Sequence, residues 1–175
     1  MELRPLGGTR AWRNPVTSRR PAAELDSPLG RITVLRGPIG AYVPLGGSTE
    51  RWEFVLDGSE ILSVDGMGTP GYGSRGQVKR GVDVSLLGVE GRVTGRRSLG
   101  PRGRFVRLEA GGTVFAAGAR FPRNYVVDSS GAELADFNGP DWLFGAAEPG
   151  IVAFAALVVE AGLEVTLTSP LLEIF

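Results

Sequence analysis

Pro149-Gly-Ile-Val-Ala-Phe-Ala-Ala-Leu-Val-Val-Glu-Ala161 is the stretch on which the fold turns. Nine consecutive residues, Ile151 to Val159, are apolar, so whatever element forms here has no polar face. Proline suits the first position of a helix, and Gly162 stands where a C-terminal cap would. The three alanines within Ile151–Val159, the length and both end signals favour a helix over about 149–162. Isoleucine and three valines keep a buried central strand as the competing reading. A helix of about 13 residues rises roughly 20 Å, enough to cross a small domain. One that is apolar all round must be surrounded by the rest of the chain. No apolar stretch reaches the roughly 18 residues needed to cross a bilayer, so no transmembrane segment is expected.

What surrounds it reads as strands. Arg51-Trp-Glu-Phe-Val-Leu56 and Glu60-Ile-Leu-Ser-Val64 flank Asp57-Gly58, a dipeptide that supplies the positive φ angles of a type I′ hairpin. Trp52, Phe54 and Leu56 share one face of the first strand, as a half-buried strand requires. Arg31 to Arg36 forms a β-branched run closed by Gly37-Pro38, and Ala41 to Val43 is a second short candidate. Further strands are expected over Val78 to Val84, Leu86 to Val93, Arg104 to Glu109, Thr113 to Ala119, Asn124 to Asp128 and Ala132 to Phe137. Spacing of about 8–12 residues with a turn signal at each joint favours a sandwich or barrel. Val165 to Thr168 and Leu171 to Phe175 read as a closing strand or extended tail, with Phe175 docked into the body. Residues 1–27 hold five arginines and three prolines without sustained periodicity, and read as an Arg/Pro-rich arm ahead of a single β-rich domain, 28–175. The fold class expected is mostly β: an antiparallel barrel or sandwich of short hairpins enclosing one hydrophobic helix near the C-terminus.

Composition narrows the chemistry. The 175-residue chain has neither cysteine nor histidine, which removes disulfides, thiolate chemistry, His metal ligands and Ser-His-Asp catalysis. The N-terminus lacks the apolar core of a signal peptide, and a cytoplasmic location is expected. Gly66-Met-Gly-Thr-Pro-Gly71 matches G-x-G-x-x-G after a strand, but the dinucleotide fingerprint needs a helix next. Gly71-Tyr-Gly-Ser-Arg-Gly76 reads as a Gly-rich loop, so the fingerprint is rejected. Ser74 has no flanking glycine pattern or base to make it a nucleophile. The aspartates Asp57, Asp65, Asp83, Asp128 and Asp141 mostly fall in turns, where they bond the local backbone. No catalytic residue, metal site or cofactor is expected.

Charge is unevenly spread within a net of zero. Between Arg75 and Arg107 nine basic residues face two acids, and from Glu109 onward nine acids face two arginines. Arg92, Arg96, Arg97, Arg102, Arg104 and Arg107 fall in one segment, 92–107, without a single acid, and form the candidate anion-binding set. The bland alternative is a solvated hairpin that pairs with the acidic C-terminal third. Only Phe105 lies among these arginines, too few aromatics for base stacking, which argues against nucleic acid.

Asn124-Tyr-Val-Val-Asp-Ser-Ser-Gly-Ala-Glu-Leu-Ala135 is similar to the Y-x-V-x-D-x-x-G strand-turn-strand of the tubby-like C-terminal superfamily, which includes the LURP-one-related proteins and the phospholipid scramblases. Gly150 to Val159 stands in the place of that family's threading helix. The resemblance covers residues 29–163 and implies a closed antiparallel barrel around a hydrophobic helix. Tubby domains bind phosphoinositides through basic residues on the barrel, yet none of those residues is matched individually here, and fold alone does not license the activity. The expected function is a non-enzymatic binding or regulatory module for an anionic ligand such as a lipid head group, or for an acidic protein surface. The alternative is a structural or assembly subunit of a larger phage-like or secretion complex, as a homo- or hetero-oligomer.

Overall fold

A computed structural model describes residues 1–7, 14–39 and 49–168. Period-two alternation becomes strand pairing through most of the chain. The strands are β1 (Glu2–Pro5), β2 (Arg20–Ser27), β3 (Gly30–Pro38), β4 (Glu50–Leu56), β5 (Ser59–Met67) and β6 (Val82–Leu86). They continue as β7 (Val89–Arg96), β8 (Phe105–Ala110), β9 (Thr113–Gly118), β10 (Asn124–Val127), β11 (Glu133–Asn138) and β12 (Asp141–Phe144). All lie in one antiparallel sheet in sequence order, each pairing only with its chain neighbours. Among the described residues β1 and β12 do not pair with each other, so the sheet is not closed by hydrogen bonds there. The Asp57-Gly58 turn has φ of 48° and 83°, the two positive angles of a type I′ hairpin. Leu87-Gly88 adopts the same form, φ 50° and 80°, with leucine in a position that costs about 1–2 kcal/mol.

Among the described residues three α-helices accompany the sheet: α1 (Tyr72–Arg80), α2 (Pro149–Glu160) and α3 (Glu164–Leu167). The decisive stretch is α2, with Pro149 in its first turn and every residue from Gly150 to Glu160 buried. Its end is a Schellman motif. The Leu163 amide donates to the Val158 carbonyl at 2.9 Å and the Gly162 amide to Val159 at 3.2 Å, with Gly162 at φ 62°. Phe154 stacks on Phe115 of β9, ring centroids 5.8 Å apart. The helix shares one apolar cluster with side chains from every strand from β2 to β12. Each fully buried Val, Leu, Ile or Phe there contributes about 1.5–3 kcal/mol.

The structure corrects four expectations. Residues 1–27 contribute β1 and β2, where Ala23 and Leu25 are buried and alternate with Glu24 and Asp26. The expected loop 66–76 and the start of the expected strand 78–84 instead give α1, which tertiary contacts sustain against poor propensity. Ser74 donates to the carbonyls of Gly68 and Thr69 at 3.1 and 2.9 Å, and the Gly71 amide donates to Ala161 at 3.0 Å. A helix therefore does follow the glycine motif, but β5 and β6 are antiparallel, so no βαβ unit exists and the dinucleotide reading stays excluded. Residues 165–168 belong to α3 and its end rather than to a strand. The candidates at 41–43 and 171–175, Phe175 included, lie outside the described residues.

Alternating strand direction sorts the connections into two ends. Pro28-Leu29, Asp57-Gly58, Leu87-Gly88 and Gly111-Gly112 are two-residue turns at one end. The opposite end carries α1, the 97–104 connection with its 3-10 turn Pro101–Gly103, and the 119–123 connection. The core helix enters from the tight-turn end after β12 and finishes at the long-connection end, where Ala161 meets Gly71.

Candidate anion-binding cleft

On α1, Arg75 and Lys79 are four residues apart and share a face of the helix. That face packs over β7, where glycine is required. A Cβ at Gly95 would lie 2.8 Å from Val78 Cγ1 and 3.8 Å from Thr166 Cγ2. The close approach leaves a cleft of about 280 Å³, lined by Arg75, Gly76, Val78, Lys79, Gly95, Arg97 and Thr166. Among the described residues three cations and no carboxylate line it. Val78 and the Thr166 methyl group supply an apolar floor, so the cleft suits a compact anion that carries some apolar surface.

Of the six arginines singled out by sequence, only Arg97 lines this cleft. Arg92 donates to the Arg80 carbonyl at 3.2 Å, fastening the end of α1. Arg104 is structural: its guanidinium donates to the carbonyls of Ser98 (2.8 Å), Leu99 and Leu167 (3.4 Å), pinning its own loop to α3. Arg107 pairs with Glu109. Arg96 and Arg102 are exposed, with no ion pair among the described residues. Arg75 and Lys79 were missed because 66–76 read as a loop and 78–84 as a strand; the i, i+4 spacing of two cations was the available signal.

The basic segment meets the acidic C-terminal third in part, through Arg107 with Glu109 and Arg75 near Glu164, while Glu133, Asp136 and Asp141 are satisfied by arginines of their own region. Arg120 holds Glu133 at 2.8 Å, and Arg123 holds Asp136 and, at 2.7 Å, Asp141. These arginines hold the carboxyls of Glu133 and Asp141 below the usual carboxylate range. Asp128 is a turn residue: the Ser130 hydroxyl, then the amides of Ala132, Ser130 and Gly131, lower its pKa. No cluster of acids that could hold a metal occurs among the described residues, and no helix there is long and apolar enough to cross a membrane.

Glu164, at the start of α3, behaves differently. Burial raises its pKa above the ordinary 4.5, against the pull of Arg75, and its Oε2 has no hydrogen-bond partner. A raised folded pKa means that Glu164 favours folding when protonated and opposes it when ionised. That favourable contribution is complete below about pH 4.5 and is lost as pH rises through the higher folded value. Glu164→Gln should therefore raise the melting temperature at pH 7, and the gain should vanish when melts are repeated below pH 4.5. A gain of equal size at both pH values would mean that ionisation is not the cause.

Compared with family models, curated proteins and solved structures, the chain matches none of them.

Proposed function

We propose that this protein is a non-enzymatic, cytoplasmic binding module that takes a phosphate-like anion, such as a lipid head group, in the cleft between α1, β7 and α3. The observation that carries the reading is the cleft lining itself, with Arg75, Lys79 and Arg97 around an apolar floor and no carboxylate among the described lining residues. In this reading the sheet rolls around α2 as a barrel of the tubby-like, LURP-one-related kind. Twelve sequential strands and a helix buried on every face support that shape.

Inorganic pyrophosphate at low ionic strength, followed by isothermal titration calorimetry, is the direct test. Lys79 is exposed and without an ion pair among the described residues, so its removal leaves the fold alone. A charge-assisted hydrogen bond contributes about 1.5–3 kcal/mol, so Lys79→Ala should weaken binding roughly ten- to a hundred-fold. Replacing Arg96 and Arg102, which lie outside the lining, should have a smaller, salt-sensitive effect. Absence of binding by the wild type, or full affinity in Lys79→Ala, removes the reading.

A second reading, an assembly subunit, has one observation in its favour. The outer edges of β1 and β12 have no strand partner among the described residues, and unpaired edges are templates for another chain. Light scattering separates the two: a monodisperse monomer counts against assembly, and a ring or filament supports it.

A further inference from the structure

Two large apolar side chains stand further into solvent than any others among the described residues. Phe121 is 96% exposed and Leu99 is 72% exposed. They sit at the same end of the sheet, on the 119–123 and 97–104 connections. The register row Arg96–Phe105–Gly118–Tyr125 ties together the four strands from which these connections rise. At one strand spacing per step, the two connections stand roughly 10 Å apart.

The exposed charge around them is mainly positive, with Asp83 at the start of β6 against it and Asp65 held by Arg51. Lys79, Arg80, Arg96 and Arg102 belong to this end, are exposed and have no ion pair among the described residues. Arg120 and Arg123, nearest Phe121, are already committed to Glu133, Asp136 and Asp141. The opposite end reverses the sign, with Asp57, Glu60, Glu90 and Asp128 in or beside its turns. An anionic surface would therefore attract one end of the molecule and repel the other.

We propose that the long-connection end is a docking surface for an anionic lipid bilayer. Phe121 and Leu99 enter the interfacial layer while Lys79, Arg80, Arg96 and Arg102 lie at head-group level. This rests on the proposed anion-binding reading for the sign of the charge, and goes beyond it in assigning the surface and its insertion points. A soluble anion in the cleft has no use for apolar tips outside it. A protein interface requires a contiguous patch on the order of 800 Å² per partner rather than two tips on separate loops. A bilayer interface accepts separate apolar tips, because lipid fills the space between them.

Cosedimentation with phosphatidylcholine vesicles, with and without phosphatidylserine, tests this at low salt. Wild type should bind only the anionic vesicles. The Leu99→Ser, Phe121→Ser double variant should bind them on the order of ten-fold more weakly, with unchanged affinity for pyrophosphate. Leu87→Ser, at the opposite end, should bind like wild type. The proposal is overturned if the double variant sediments like wild type. It is overturned equally if wild type binds pyrophosphate or poly-glutamate but no vesicle, which leaves the cleft standing alone. Failure to bind pyrophosphate alongside full vesicle binding would remove the cleft and keep the docking surface.

Discussion

Ala155→Asp or Val158→Asp in α2 unfolds the domain, rather than weakening any one function. Both positions have no solvent exposure, and the helix around them is buried on every face. An aspartate there would be placed inside the apolar cluster and away from water. Leaving a charge buried and unpaired costs several kcal/mol after relaxation, and the added volume costs about 1–3 more. Set against a total stability of about 5–15 kcal/mol, the loss removes most or all of the folded population. Circular dichroism and thermal melts check this: loss of the cooperative transition is expected in both variants. A well-folded variant with a melting temperature near that of wild type would mean that α2 is peripheral.

The second large effect is expected at Glu50. Arg36 and Glu50 form an ion pair at 2.8 Å with side-chain exposures of 0% and 1%. Glu50 also accepts from the Trp52 indole at 2.9 Å and from the Val16 amide at 3.2 Å. Arg36 lies 5.1 Å from the Trp52 ring centroid and donates to the Asn14 carbonyl at 3.2 Å. The pair thus fastens the segment before β2 to the interior ends of β3 and β4. Glu50→Ala leaves a guanidinium that cannot deprotonate buried without its counter-charge. A loss of about 3–5 kcal/mol in urea unfolding is expected. Arg36→Met combined with Glu50→Leu should recover much of it, since a well-packed apolar pair avoids desolvating two charges. If the double variant is no more stable than Glu50→Ala, the loss reflects packing rather than the stranded charge.

This pair also shows where sequence reading stops. Charged residues in a strand are read as its solvent face, and nothing local announces that Arg36 and Glu50 point inward together. The hairpin at Asp57-Gly58 and the strands β8 to β11 were legible within a residue or two, because glycine turns and β-branched runs act locally. The core helix was legible because nine apolar residues between proline and glycine admit few arrangements. Helix α1 was not, since Gly73 and Gly76 lower its propensity. Residues distant in sequence hold it: Ala161 accepts from the Gly71 amide, Arg92 from β7 donates to the Arg80 carbonyl, and Gly95 lets Val78 pack closely. The cleft shares that obscurity. Arg97 stood out within a visible arginine run, but Arg75 and Lys79 become its partners only once α1 forms and packs over Gly95.

The cleft is tested most directly by following the amide resonances of the labelled wild-type protein as pyrophosphate is added at low ionic strength. Saturable shifts concentrated at Arg75, Gly76, Lys79, Gly95, Arg97 and Thr166 are the expected result. Shifts that never saturate, or that gather at the tight turns Asp57-Gly58, Leu87-Gly88 and Gly111-Gly112, would contradict it.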